Sequence, residues 1–333
     1  MEKIDKTTKS KDLFLKIIKI REFGVLIALI LLIIVFSLTA DSFTKPENFL
    51  NILRQISLLG IMSMGMTMVL VSGEIDLSVG SIYAFSAIIS GLLMTNGVSI
   101  WVSIIIGLIG GISIGILNGV LVTYAKIPAL IVTLGMSSVA RGIALIISKA
   151  QIIPIKEYTV SDPTLNAFIF MGQGRIFGEI PMMIFFLLGI TVISYIVFGK
   201  SMLGFRMRAV GGNPDAATAS GINVKYIKII AFGICGFTAA LAGILNVAFL
   251  SNVQGTVGRG VELDVIAAVI VGGTALSGGK GTIIGTLIGV LILGVLRNGI
   301  IMLDVSPFYQ VLIVGIVIIV AVGIDRLTTN DNL

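Results

Sequence analysis

The sequence predicts an all-α, polytopic membrane protein, and three observations carry the prediction. About ten long apolar runs follow one another from Gly24 to Ile324, and a run of about 20 apolar residues is what a helix needs to cross the hydrocarbon core. Charged residues make up 12% of the 333, with a mean hydropathy of +1.10, against roughly 25% charged in a soluble domain. Glycine stands at 40 residues, well above the usual roughly 7%, as expected where helices in lipid approach backbone to backbone.

The same composition excludes several functions. The chain has no histidine, which removes HExxH metalloproteases, Ser-His-Asp triads and histidine proton relays together. Its single cysteine, Cys235, lies in an apolar run, so neither a disulfide framework nor a thiolate metal cluster is available. The net charge of +6 and pI near 9.4 point to basic loops on one membrane face rather than to nucleic acid.

Taken in order, residues 1–23 form a basic tail. The first apolar run is a retained helix rather than a signal peptide, because the charged leader is long and no A-x-A site follows it. The spans fall at roughly 24–40, 56–72, 79–95, 100–123, 128–148, 181–199, 226–250, 263–277, 281–303 and 307–324, followed by a tail at 325–333. The eighth is short and glycine-rich and reads as a broken helix. With the N-terminus inside, fifteen Lys and Arg fall in inside segments and six outside, with Arg141 and Arg297 within spans. That excess places both termini in the cytoplasm.

Two signals recur. Glu74-Ile75-Asp76-Leu77 follows span two, then Asn118-Gly119 and Pro128; Glu262-Leu263-Asp264-Val265 follows span seven, then Asn298-Gly299 and Pro307. Spans 2–5 thus echo spans 7–10 with opposite orientation, and an inverted repeat of this kind places a transport route between its halves. Asp76, Asn118, Asp264 and Asn298 recur between the halves and are the candidates for the path. Acids inside a membrane are costly and persist where a cavity or a helix start requires them. Asp76 or Ser78 also suits the N-cap of span three, and the two roles are compatible.

The inside loop 200–228 carries a second feature. Asn213 before Pro214 reads as an N-cap with proline at the first helical position. Asp215 suits the helix N-terminus, Ala216, Ala217 and Ser220 continue a short helix, and Gly221 stops it. So short a helix is poorly stable alone, which points to docking onto a partner; a solvated basic loop beside anionic lipid explains the charge equally well. Leu276-Ser277-Gly278-Gly279-Lys280-Gly281-Thr282 lacks phosphate-loop spacing and reads as a tight turn. Met62, Met64, Met66 and Met68, two apart, scatter around their helix and are core or lipid contacts rather than a metal track. The outer loop Lys149 to Pro181 mixes charge with proline, which suits either a shaped docking surface or a connector. Arg141 sits deep in span five without a partner nameable from sequence.

From about Phe43 onward the chain resembles the permease subunits of ATP-binding-cassette importers for simple sugars, the ribose type in particular. The likeness rests on Ile75 to Ser81, on Gly211-Gly212-Asn213-Pro214 through Ser220-Gly221-Ile222-Asn223, and on Glu262-Leu263-Asp264 through Gly272-Gly273-Thr274 to Gly278–Leu287. It implies a type II importer fold in a bacterial inner membrane, with two permeases, identical or related. It also implies two cytoplasmic ATPase subunits that carry the ATP, and an extracytoplasmic sugar-binding protein. On that likeness Asn213–Gly221 is the coupling helix seated in an ATPase groove, and the chain itself carries no cofactor. Many members have Gly-Gly-Ile-Asp where this chain has Gly73-Glu74-Ile75-Asp76, and the additional acid bears on which sugar passes. An ion-coupled secondary transporter is the alternative class; few acids within spans and the missing histidine weigh against it. A membrane-embedded transferase would need clustered carboxylates, which the sequence lacks.

Overall fold

The computed structural model describes residues 21–155 and 162–306, with isolated positions as far as 319. Twelve helices fall in the described residues: α1 (Arg21–Thr39), α2 (Pro46–Val71), α3 (Val79–Thr95), α4 (Ile100–Thr123), α5 (Ala129–Ile147), α6 (Leu165–Gln173), α7 (Met182–Ser194), α8 (Met202–Gly212), α9 (Pro214–Ala219), α10 (Val224–Leu250), α11 (Val261–Val271) and α12 (Ile283–Met302). A π-helical turn, Tyr195–Lys200, extends α7. Four two-residue strands pair as β1 (Ile153–Pro154) with β4 (Asn252–Val253) and β2 (Arg175–Ile176) with β3 (Ile180–Pro181), both antiparallel. Six helices are long and apolar enough to cross a membrane, and residues 23–39 and 79–95 add two shorter apolar ones.

The spans read from sequence fall close to these helices, with three instructive differences. α2 starts at Pro46, ten residues before the apolar run, because proline at its first turn and Glu47 near the N-terminal dipole open the helix within a polar stretch. α11 is only 11 residues, about 16 Å at 1.5 Å per residue, too short to cross a bilayer, as its glycine-rich ending foretells. α1 begins at Arg21, inside the stretch assigned to the basic tail. The leader 1–20, the tail 325–333 and most of the span at 307–324 lie outside the described residues.

Three helices form the centre. In its most apolar stretch α2 is 72% buried and α10 and α12 67% each, against 28% for α4 and α5. The four alternating methionines of α2 are all core: they point in different directions and every direction is protein. α10 packs on α2, α3 and α4, while α2 packs on α10, α11 and α12; α3 also packs on α4, and α11 on α12. At the α4–α10 crossing a Cβ on Gly115 would lie 2.3 Å from the Phe232 carbonyl oxygen, so only glycine permits that approach. The outward apolar faces of α1, α4, α5 and α7 are the surface expected to meet lipid.

Connections alternate between the ends of the bundle. At one end, Lys225 lies over the Tyr124 ring, Lys228 pairs with Glu74, and Gly279 N–H donates to the Val71 carbonyl. These contacts gather the α2–α3, α4–α5, α9–α10 and α11–α12 junctions. The opposite end carries residues 149–155 and 162–181, which fold onto the bundle: α6 packs on α10, β1 pairs with β4, and Asp162 accepts from the Ile100 N–H at the start of α4.

Candidate functional site

Two irregular breaks interrupt the helices, one from each end; the first carries Glu74 and Asp76, and the second leads into Glu262 and Asp264 in the first turn of α11. In the first, α2 ends in a glycine cap. Gly73 adopts φ +84°, its N–H donates to Leu70, and the Glu74 N–H donates to Val69, the six-to-one closure that a left-handed residue permits. Gly273, at φ +90°, closes α11 in the same way. Beyond Gly73 the chain runs without helical structure to Ser78. Asp76 is completely buried; one carboxyl oxygen accepts from the Ser78 N–H at 2.8 Å and from the Ser78 hydroxyl at 2.5 Å. Asn118 of α4, also fully buried, donates to that hydroxyl at 2.9 Å. The second oxygen of Asp76 and the amide oxygen of Asn118 have no partner among the described residues. Ser78 stands at the N-cap of α3, but its hydroxyl turns to Asp76 instead of capping the helix.

The second break runs from Ser251 to Gly260, with Ser251, Gly258 and Gly260 at positive φ. Arg141 holds it: one guanidinium nitrogen donates to the carbonyls of Gly255 (3.0 Å) and Val257 (2.8 Å), the other to Gly80 (3.0 Å). The partners missing from sequence are therefore backbone carbonyls of an irregular segment. A Cβ at Gly80 would meet both the Glu262 carboxylate and the Gly258 carbonyl, so the breaks touch at the start of α3. Glu262 accepts from the Gly260 N–H. Asp264 pairs with Arg297 of α12 at 2.5 Å, both partly exposed. Asn298 is bound elsewhere, exchanging two amide hydrogen bonds of 3.0 and 2.9 Å with Asn48 near the start of α2.

The four residues singled out by the repeat thus occupy three places. Asp76 and Asn118 share one cluster, Asp264 sits at the second break, and Asn298 fastens α12 to α2. Glu74, the additional acid, pairs with Lys228 of α10 at 2.5 Å. Neither that pair nor Arg297–Asp264 is legible in sequence, since the partners are 154 and 33 residues apart.

The segment 201–223 is built by successive caps. Ser201 accepts from the Leu203 N–H at the start of α8. Asn213 ends α8 by donating its N–H to Ala209 and starts α9 by accepting from the Ala216 N–H at 2.9 Å, with Pro214 at the first helical position and Asp215 in the first turn. Gly221, at φ +80°, closes α9: its N–H reaches Thr218 and that of Ile222 reaches Ala217. Asn223 then caps α10 through the Tyr226 N–H. Of α9 only Ala217 is buried. The helix projects beside an open groove of about 720 Å³ lined by Tyr124, Pro214, Asp215, Thr218 and Lys225 among others, with Met202, Phe205 and Tyr226 exposed nearby. Among the described residues no group of three or more acids and cysteines is placed to hold a metal.

Long apolar helices, two polar breaks meeting within the bundle and a projecting capped helix define a multi-pass membrane protein of the transporter kind. The chain belongs to the family described as branched-chain amino acid transport system / permease component, which matches residues 48–322. It is 40% identical over 311 residues to the ribose import permease protein of Bacillus subtilis (strain 168), covering 92% of this chain and 93% of that protein. It is 35% identical over 317 residues to the L-arabinose ABC transporter permease protein of Azospirillum brasilense (94% and 90% covered). With the D-allose transport system permease protein of Escherichia coli (strain K12) it shares 36% over 312 residues (93% of each). No solved structure matches the chain.

Proposed function

We propose that this chain is the membrane permease of an ATP-driven importer for a simple sugar, ribose in the first place. The observation that carries the reading is 40% identity to a ribose import permease over more than nine-tenths of both chains. The family description names branched-chain amino acids, but the relatives named above are sugar permeases, and they match the chain almost end to end. ATP binds to separate cytoplasmic ATPase subunits, two permease copies pair, and an extracytoplasmic binding protein delivers the solute. The coupling residues are Asn213, Pro214, Asp215, Ala216, Ala217, Ser220 and Gly221, a reading supported by the caps and exposure of α9.

A type II importer fold with about ten transmembrane segments, the short α11 among them as a broken one that does not cross alone, and an inverted repeat accounts for the packing. α2 lies on α11 and α12 as α10 lies on α3 and α4, and the two meet each other, which is the pattern two interlocked, upside-down halves would give. With the N-terminus cytoplasmic, α9 faces the ATPase and the 149–181 cap faces the binding protein. Of the proposed path residues, Asp76 and Asn118 are wholly buried and brace the wall at the first break, Asn298 fixes α12, and partly exposed Asp264 lies nearest the solute. Alternating access then requires the breaks to shift against each other while the backbone stays satisfied.

The test is reconstitution. In proteoliposomes, native chain with ATPase and binding protein should accumulate labelled ribose on ATP addition, and chain alone should not. Asn213→Ala, which removes a cap worth about 1 kcal/mol, should uncouple hydrolysis from uptake. The ion-coupled alternative draws its support from Asp76, a buried acid with an unpartnered oxygen; uptake driven by an ion gradient without ATPase would establish it and exclude the importer.

A further inference from the structure

The corner at residues 71–74 is fastened from both sides of α9. On the α8 side the attachment is backbone against backbone: a Cβ on Gly211 would run into the Val71 carbonyl oxygen, and the α11–α12 turn wedges in beside both, a Cβ on Gly278 lying 2.7 Å from the Gly211 carbonyl oxygen and 2.8 Å from the Gly73 Cα. Gly279 completes it by donating to Val71. On the α10 side the attachment is an ion pair. Lys228 lies in the second turn of α10, which begins directly after α9, and its ammonium meets the Glu74 carboxylate at 2.5 Å. Both side chains are about five-sixths withdrawn from water, at 17% and 16% exposure, so solvent and salt screen the pair less than a surface bridge. Glu74 is two residues from Asp76, and through Ser78 and Asn118 the same short segment reaches α3 and α4.

We propose that Glu74 and Lys228 form a transmission pair, holding the first break to the root of the docking helix so that movement of α9 is carried to Asp76 and the start of α3. Two fasteners are needed because α9 has one on each side. With only the glycine contact, α8 would still follow the 71–74 corner while α10 pivoted away from it. The pair would thus position the break and would not touch solute. This rests on the reading of α9 as the ATPase-docking helix.

The experiment uses the complete complex of permease, ATPase and binding protein in proteoliposomes, with radiolabelled ribose as probe. Glu74→Gln, Lys228→Gln and the exchange Glu74→Lys with Lys228→Glu are compared for ATPase retained on purification and for ribose delivered per ATP hydrolysed. The single variants should retain ATPase and hydrolyse ATP, while ribose delivered per ATP falls about tenfold; the exchange should recover to within about threefold of native. Unchanged delivery in both single variants, or an exchange no better than the singles, overturns the transmission role. A native chain that retains no ATPase overturns the importer reading, and this proposal with it.

Discussion

Each break adjoins a Glu-x-Asp pair, Glu74 and Asp76 within the first and Glu262 and Asp264 in the turn of α11 that follows the second, and the two differ in how the acids are satisfied. At the first, Glu74 has a cation and Asp76 has none in contact among the described residues: its bonds come from Ser78, a neutral side chain and backbone, in complete burial. At the second, Asp264 has Arg297, and Arg141 ties the neighbouring carbonyls to Gly80. An acid held by neutral donors depends on each of them, because an orphaned buried group costs its full desolvation. An acid paired with a partly exposed arginine leaves behind a cation that water can still reach. The first break is therefore the stiffer and the second the more forgiving, although the sequence writes them alike.

Glycine contacts give the widest separation. Gly211→Val should be the most damaging single change, about 3 kcal/mol or more, because the obstruction is backbone on both sides and cannot turn aside. Gly80→Ala, in the first turn of α3 where the second break reaches it, meets the movable end of the Glu262 side chain as well as the Gly258 carbonyl and should cost about 1–2 kcal/mol. Thermal unfolding of both variants in one detergent checks the order; an equal loss would remove the distinction between the breaks.

The acids sharpen it at smaller scale. Asp76→Ala leaves the Ser78 N–H and hydroxyl without an acceptor and should cost about 2–3 kcal/mol, while Asp76→Asn keeps an acceptor oxygen and should cost less than about 1 kcal/mol. Asp264→Ala should fall between, at about 1–2 kcal/mol, since Arg297 stays a third exposed. Unfolding midpoints of the three variants beside the native chain decide this. A loss from Asp76→Asn as large as that from Asp76→Ala would mean that the negative charge, rather than the acceptor geometry, holds the first break.

Much of this architecture is legible in the sequence, for identifiable reasons. Lipid forces apolar runs of nearly fixed length, so α3 and α4 can be bounded to the residue, and cap chemistry is local, so Asn213, Pro214 and Gly221 announce α9 without tertiary information. What escapes is non-local or depends on competition. The first ten residues of α2 look polar because they adjoin the 149–181 cap and α12, through Asn48 and Asn298 for instance. Ser78 reads as a cap, but the nearby Asp76 outbids α3 for its hydroxyl. Arg141 carries a signal, a charge deep in a span, but its partners are backbone carbonyls, two in an irregular loop and one at Gly80 in the first turn of α3, and no residue type marks them. The recurrence of Asp and Asn along the chain cannot reveal that Asn118 joins Asp76 while Asn298 turns to Asn48.

The smallest effect belongs to the end of the bundle opposite α9, where Asp162 joins the segment leading into α6 to the start of α4. Its carboxylate accepts from the Thr164 hydroxyl at 2.6 Å, the Thr164 N–H at 2.8 Å and the Ile100 N–H at 3.4 Å. Those bonds, the Thr164 hydroxyl first, hold its pKa below the ordinary 3.8. A carboxylate with a lowered folded pKa contributes stability that is present above the unfolded value and lost as pH falls through the folded one, because in that window the unfolded chain binds more protons. Asp162→Asn should therefore loosen the segment at neutral pH, seen as faster amide exchange at Thr164 and Ile100. The difference from native should shrink as pH drops below about 4. The breaks, shielded within the bundle, should show no matching change in exchange over that range. Exchange at Thr164 that differs between native and variant by the same factor at every pH would show that the segment is held by its packing on α10 and not by this carboxylate.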